Sequence, residues 1–246
     1  MKLSPAMKSW LALRSLAFYI GYVPIVVFFS TLACTLGLAL SQAPRQTLAT
    51  TANALVVIWL RICCGVHVQV EGREQLPQRP FVALSKHQSS WETYYLQRTL
   101  RPVSTILKKE LLRIPFFGWG LAMVAPIAID RDNSREALRQ VMQQGKARLA
   151  SGLNVLVYPE GTRVDAGSAP VKFNRSGAAL AIAAGVPLVP ICHNAGRCWP
   201  AHRLIKYPGT ITLVFGAPMA TEGRDAKSLT EEVSRWMEEV THRLPG

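Results

Sequence analysis

The segment Lys86-His87-Gln88-Ser89-Ser90-Trp91-Glu92 pairs an imidazole with a carboxylate five positions on. Histidine, with an unperturbed pKa of about 6.5, suits general-base work near neutral pH, and a carboxylate on its second ring nitrogen would fix the tautomer and stabilise the imidazolium. The spacing also fits a plainer role. Ser89 and Glu92 make an S-x-x-E capping box, in which His87 would be an ordinary loop histidine. A second segment, Tyr158-Pro159-Glu160-Gly161-Thr162-Arg163, offers a glycine free to turn, a carboxylate, and a guanidinium whose planar fork matches phosphate oxygens. A local Glu-Arg pair on a tight turn is the competing reading. Two further groups, Lys108-Lys109 and Asp130-Arg131, carry cations that are either ligands for an anion or a solvated charge run.

Other chemistries lose weight by absence. The chain has no G-x-S-x-G elbow, no G-x-x-x-x-G-K-[ST] loop and no H-E-x-x-H, and Gly118-Trp119-Gly120 lacks the third glycine of a dinucleotide fingerprint. Five cysteines at positions 34, 63, 64, 192 and 198 form no CxxC pair and no zinc spacing, so inert buried thiols in a reducing compartment are expected, with no metal.

The elements that must position these residues alternate. Short β-branched runs at 66–70, 80–84, 103–107, 126–129, 155–158, 188–192 and 211–215 predict strands. Helical patterns follow Ser89, cover 134–150, run through 176–185 and cover 228–244, the last with Ser228 and Glu231 as a second capping box. This alternation predicts a single α/β domain over residues 66–246, with a mostly parallel central sheet of about seven strands flanked by helices. His87, Lys108, Arg131 and Glu160 would then all follow strands, at the carboxyl edge where open α/β sheets bind ligands.

Residues 1–65 are different. Between Arg14 and Arg45 lie 30 residues without a charge, about 45 Å as a helix against a hydrocarbon core of about 30 Å. Gly21 and Pro24 interrupt it, so a tilted span, a kinked span and a re-entrant helical pair all fit. The stretch exceeds the 7–15 residue core of a signal peptide, although Lys2, Lys8 and Ser41-Gln42-Ala43 could be read as one. A second apolar run, residues 54–66, is too short to span; Asn53 could cap it, and Trp59 and Arg61 suit a headgroup boundary or the run is a core helix. No acid precedes Glu71, while Lys2, Lys8, Arg14, Arg45 and Arg61 are basic, and the whole chain carries +13. That charge predicts an anionic partner. Nucleic acid would explain the charge but not the apolar arm, and no aromatic-basic interleaving appears.

Taken together, the blocks resemble the membrane glycerolipid acyltransferases. That family has, in order, a His-x4-Asp motif, a block ending in Asp-Arg, a Phe-Pro-Glu-Gly-Thr-Arg block and a Val-Pro-rich strand. They correspond here to His87 to Glu92, Ile127 to Arg131, Tyr158 to Arg163, and Val186-Pro187-Leu188-Val189-Pro190. Glu92 stands where the family has aspartate, and Tyr158 where it has phenylalanine. The resemblance implies that His87, oriented by Glu92, deprotonates the sn-2 hydroxyl of lysophosphatidate for direct attack on an acyl thioester, giving phosphatidic acid without a cofactor. It implies that Arg131 and Arg163, with Lys108 or Lys109, hold the acceptor phosphate, and that Glu160, Gly161 and Thr162 shape that pocket. Membrane lipids and acyl-CoA or acyl carrier protein are the implied partners. Those donors are cytoplasmic, whereas the basic N-terminus would by the positive-inside rule send a single span outward. A re-entrant or interfacial N-terminal pair, with the domain on the cytoplasmic face of the inner membrane, reconciles the two. Other lysolipids or glycerol 3-phosphate as acceptor, and a lapsed lipid-binding homologue, remain open alternatives.

Overall fold

The computed structural model describes residues 4–78, 80–169 and 171–245; Lys2 of the basic arm lies outside them. Seven strands form one sheet: β1 (Val66–Glu71), β2 (Val82–Ser85), β3 (Val103–Lys108), β4 (Ile127–Ile129), β5 (Asn154–Val157), β6 (Leu188–His193) and β7 (Gly209–Phe215). Their order is β1-β7-β6-β2-β5-β3-β4, and every pairing is parallel except β6 with β7. All seven expected strands are present. Central β2 and β6 are buried throughout and read as apolar runs, whereas edge strand β1 alternates, as half-covered strands do.

Because β6, β2, β5, β3 and β4 run the same way, their carboxyl ends share one edge. Residues that follow those strands meet there: His87 after β2, Glu160 after β5, Lys109 after β3, Arg131 after β4.

The two faces of the sheet carry separate cores. On one, Val82, Leu84, Val155, Val157 and Leu188 pack on helices α5 (Ser134–Ala150), α6 (Ser176–Ala184) and α8 (Ala226–Arg243). On the other, Ala83, Leu156, Val189 and Ile191 meet α3 (Trp91–Thr99) and two N-terminal helices, α1 (Pro5–Thr35) and α2 (Gln42–Cys64). Two short helices, α4 (Phe117–Ala122) and α7 (Ala195–Cys198), had no clear periodic signal because neither is two turns long. The C-terminal helix starts two residues before the expected Ser228. Its cap is Asp225, whose carboxylate accepts from the Lys227 and Ser228 amides.

Helices α1 and α2 correct the sequence reading in two respects. Helix α1 runs unbroken through Gly21 and Pro24. Gly21 is not a break but a seat: a Cβ there would collide with the Trp59 ring nitrogen, which donates to the Phe18 carbonyl at 3.0 Å. Trp59 therefore faces α1, not a headgroup boundary. The second apolar run is the latter half of a 23-residue helix, and Asn53 is buried within it, donating to Gln97. Both helices are long and apolar enough to cross a membrane.

The pair is an antiparallel hairpin, with the Arg14 guanidinium donating to Cys63 O at 2.6 Å. Polar contacts bolt it to the sheet domain. Buried Gln46 donates to the Val103 and Val124 carbonyls and accepts from Val103 N, while Ser15 Oγ accepts from Lys206 N. The outer face of α1 leaves Trp10, Leu13, Leu16, Ile20 and Val23 exposed at helical spacing. All five cysteines are free, three buried and Cys34 and Cys63 half-buried.

Candidate active site

His87 lies on the loop between β2 and α3, and Glu92 is the second residue of α3. The imidazole Nδ1 lies 2.8 Å from Glu92 Oε1, with side-chain exposures of 13% and 0%. The same oxygen accepts from the backbone amides of Gln88 (3.0 Å) and Ser89 (2.8 Å). The two sequence readings of Glu92 are thus both partly realised. It reaches back to Ser89 N as in a capping box, yet Ser89 Oγ turns to Trp91 N, and the carboxylate also engages the histidine.

Burial pushes the Glu92 pKa up, but the nearby histidines His193 and His87 and the hydrogen bonds from His87 and Ser89 outweigh it and hold it below the ordinary value. An ionised carboxylate can only accept, so Nδ1 carries the proton, and in the neutral imidazole the lone pair is left on Nε2. That is the tautomer a general base needs.

The loop after β5 closes over this pair. Tyr158 stacks on His87 with ring centroids 4.1 Å apart and planes at 19°. Glu160 Oε2 accepts from His87 N at 2.6 Å, and His87 O accepts from Val164 N at 2.8 Å, so the two loops are stitched on both sides of the histidine. Burial raises the Glu160 pKa to about 7. Gly161 turns the chain at a φ of 73°, a left-handed conformation that favours glycine. Its carbonyl accepts from the Arg131 guanidinium, which ties the β4 loop to this one.

The expected cations differ in engagement. Lys109 pairs with Asp130, and Lys108 lies 3.8 Å from Glu110. Arg131 holds Gly161. Arg163 makes no ion pair among the described residues, and its buried Nε has no partner. It lies close enough to Tyr94 and Tyr158 to oppose the rise that burial imposes on both hydroxyls. Thr162 is exposed beside it. A hollow of about 430 Å³ adjoins, lined by Arg131, Tyr158 and Gly161 with apolar Ile106, Ile129 and Val157. Carboxylates of Glu110, Asp130 and Asp132 also cluster within 4.8 Å of one another, but Lys108 and Lys109 already balance two of them.

His193 escaped the sequence reading. It ends β6 and is fully buried; its Nδ1 accepts from Ala195 N, so Nε2–H donates to the Lys86 carbonyl at 3.0 Å. Burial lowers its pKa, against the opposing pull of the Glu92 carboxylate. It braces the residue before His87. Its position at the carboxyl end of a strand parallel to β2 was the available signal.

The chain matches the family model described as Acyltransferase over residues 67–194. It is 42% identical over 233 residues to the 1-acyl-sn-glycerol-3-phosphate acyltransferase of Pseudomonas aeruginosa, covering 93% of this chain and 90% of that one. The human 1-acyl-sn-glycerol-3-phosphate acyltransferase alpha is 29% identical over 229 residues, 90% of this chain and 78% of the relative. Among solved structures, the 1-acyl-sn-glycerophosphate (LPA) acyltransferase PlsC of Thermotoga maritima superposes with a TM-score of 0.79 at 22% identity, covering 96% and 97% of the two chains, which establishes a common fold.

Proposed function

The chain belongs to the acyltransferase family, and on that premise we propose that it moves a fatty acyl group from a thioester to the sn-2 hydroxyl of 1-acylglycerol 3-phosphate, yielding phosphatidic acid. The observation that carries this reading is the His87–Glu92 pair, its carboxylate fully buried and its Nε2 without a partner among the described residues, next to a guanidinium that has no anion among them either.

The residues divide the work. His87 Nε2 takes the hydroxyl proton as the sn-2 oxygen attacks the thioester carbonyl, and Glu92 stabilises the imidazolium that forms. The C–S bond breaks, the thiolate leaves, and it recovers the proton from His87. Tyr158 and Glu160 hold the ring and its backbone in place. Arg163 takes most of the acceptor phosphate's charge, with Arg131, Lys108 and Lys109 contributing less because each already has a protein partner. Gly161 and Thr162 shape that end of the pocket. No cofactor or metal enters the scheme.

The α1–α2 hairpin fits a membrane-associated N-terminal segment set against an α/β domain. Its exposed apolar stripe would lie in the bilayer that supplies the acceptor and receives the product. Both ends of a hairpin return to one side, which supports a domain facing the cytoplasm at the inner membrane, the compartment of thioester donors. Labelled acyl transfer to lysophosphatidate in vesicles, against lysophosphatidylcholine and glycerol 3-phosphate, tests the acceptor. Preference for lysophosphatidate is expected; transfer to none would refute the activity. Protease added to inverted vesicles should cut the domain, and protection would overturn the placement.

A further inference from the structure

Where the hairpin meets the sheet domain lies another hollow, of about 440 Å³, that the acyl-transfer scheme does not use. One wall is apolar and belongs to α2: Ala54, Val57 and Ile58. Along that helix the row Ala54, Ile58, Ile62 continues at i,i+4 spacing, and both isoleucines are exposed. The facing wall is cationic. Arg73 follows β1, Arg98 lies in the last turn of α3, and Arg101 leads into β3. Tyr95 also lines the hollow, and Arg73 and Arg98 lie close enough to oppose the rise that burial imposes on its hydroxyl.

These three guanidiniums have no counter-charge. Among the described residues none forms an ion pair and no acid lines the hollow; Glu74 follows Arg73 in the chain but is not in the lining. Arg101 Nε donates to the Arg98 carbonyl at 3.1 Å, which brings its fork to the end of α3. Burial and the neighbouring Arg98 both hold the Arg101 pKa below its ordinary value. The carbonyl end of α3 supplies only about half an elementary negative charge against three positive ones. An anion is what this arrangement lacks, and guanidinium forks beside a phenol donor suit phosphate oxygens. That phosphate is not the acyl acceptor's. Arg98 lies about 9 Å along α3 from Glu92, and Arg101 precedes β3, whose far end carries Lys108 about 20 Å away. The sn-2 hydroxyl of a lysolipid is one carbon beyond its phosphoester carbon, so a phosphate seated here could not present that hydroxyl to His87. The apolar row identifies the occupant: acyl chains along Ala54, Ile58 and Ile62 with a phosphate at the arginines is the layout of a bilayer phospholipid, whereas free phosphate would leave the row uncovered.

We propose that Arg73, Arg98 and Arg101, with Tyr95, form a headgroup site for an anionic phospholipid, separate from the acceptor site and seated between α2 and α3. The proposal rests on the reading of the hairpin as membrane-associated, and adds to it a lipid class and a seat.

The test titrates the full chain, in a neutral maltoside detergent, with dioleoylphosphatidylglycerol, which is neither the acceptor nor the product; native mass spectrometry counts the lipids retained. Wild type should hold one phosphatidylglycerol in preference to phosphatidylcholine by about tenfold or more. Arg73→Gln/Arg98→Gln/Arg101→Gln should weaken that binding by about 100-fold or more. Arg73→Gln/Arg98→Gln, which alters exposed side chains only, should weaken it by about tenfold or more, the scale of lost charge-assisted hydrogen bonds. Lys146→Gln/Arg235→Gln/Arg243→Gln removes as many charges from α5 and α8, on the opposite face of the sheet, and should leave binding unchanged, as should Arg163→Ala. Equal retention of the two lipids, an equal loss in the α5–α8 variant, a loss on Arg163→Ala, or displacement of the lipid by millimolar inorganic phosphate would each overturn the assignment. Flotation separates it from the hairpin reading. Wild type should float with neutral phosphatidylcholine vesicles whatever the headgroup site does, and failure to float with vesicles of either lipid would overturn the membrane association instead.

Discussion

His87 and Arg163 sit on adjoining loops at one edge of the sheet, yet their surroundings are built on opposite plans. His87 itself is held at three points, the ring on Glu92, the amide on Glu160 and the carbonyl on Val164, and the preceding residue is braced by His193. Among the described residues Arg163 has neither an acid nor a hydrogen-bond acceptor for its buried Nε. A group that performs the same proton transfer each cycle gains from being fixed beforehand, because reorganisation then adds nothing to the barrier. A group that must receive a charged ligand gains from lacking an internal partner, since an internal salt bridge would have to be broken first.

The contrast can be broken at several points. His87→Ala should lower kcat by about 10²–10⁴-fold, the range that general-base loss covers, with an unchanged circular dichroism spectrum. A kcat within tenfold of wild type would remove His87 from the chemistry. Arg163→Ala should raise KM for lysophosphatidate by about 10–100-fold while KM for the donor stays put, as one charge-assisted hydrogen bond accounts for about 1.5–3 kcal/mol. Equal effects on both substrates would argue for a structural role.

A stability measurement probes the rigid half. The Glu160 pKa is raised from 4.5 to about 7, so the folded state prefers the protonated acid. Its stability is full below the unfolded value and falls as pH climbs through about 7, beyond which the folded protein carries a buried charge. Glu160→Gln removes that cost while keeping an acceptor for His87 N. It should stabilise the protein at pH 8 by about 1–3 kcal/mol, at about 1.4 kcal/mol per pKa unit, and leave pH 4 unchanged. Thermal melts at the two values check this; no difference between them would mean the carboxylate is solvated. The smallest effect is expected at Lys109, an exposed cation already paired with Asp130. Lys109→Ala should move KM for lysophosphatidate by about threefold or less. A change as large as that for Arg163 would erase the distinction between engaged and unengaged cations.

How far the chain could be read from its residues follows the same physical divide. The strands were legible because each is a short β-branched run between turn residues, and helix α5 was legible to its ends because Asn133 and an amphipathic period mark it. The convergence of His87, Glu160 and Arg131 also followed, since parallel strands bring their carboxyl ends to one edge. Contacts between distant segments did not. Nothing local to Gly21 announces that Trp59 will sit on it, and nothing local to Gln46 announces the β3 backbone. The engagement of each cation was equally hidden, because the acid facing Lys109 lies 21 residues away and Arg163 is defined by having none among the described residues. His193 was missed for a related reason: its partner is a carbonyl 107 positions earlier.

The central claim is that Glu92, on a longer arm than aspartate, serves His87 as a charged acceptor. Steady-state acyl transfer to lysophosphatidate by wild type, Glu92→Asp and Glu92→Gln, measured side by side from pH 5 to 9, addresses it most directly. The account predicts that Glu92→Asp stays within about tenfold of wild type in kcat, while Glu92→Gln, isosteric but uncharged, falls by about 10²-fold or more as the imidazolium loses its stabilising charge. Equal activity of the glutamine variant and wild type would contradict it.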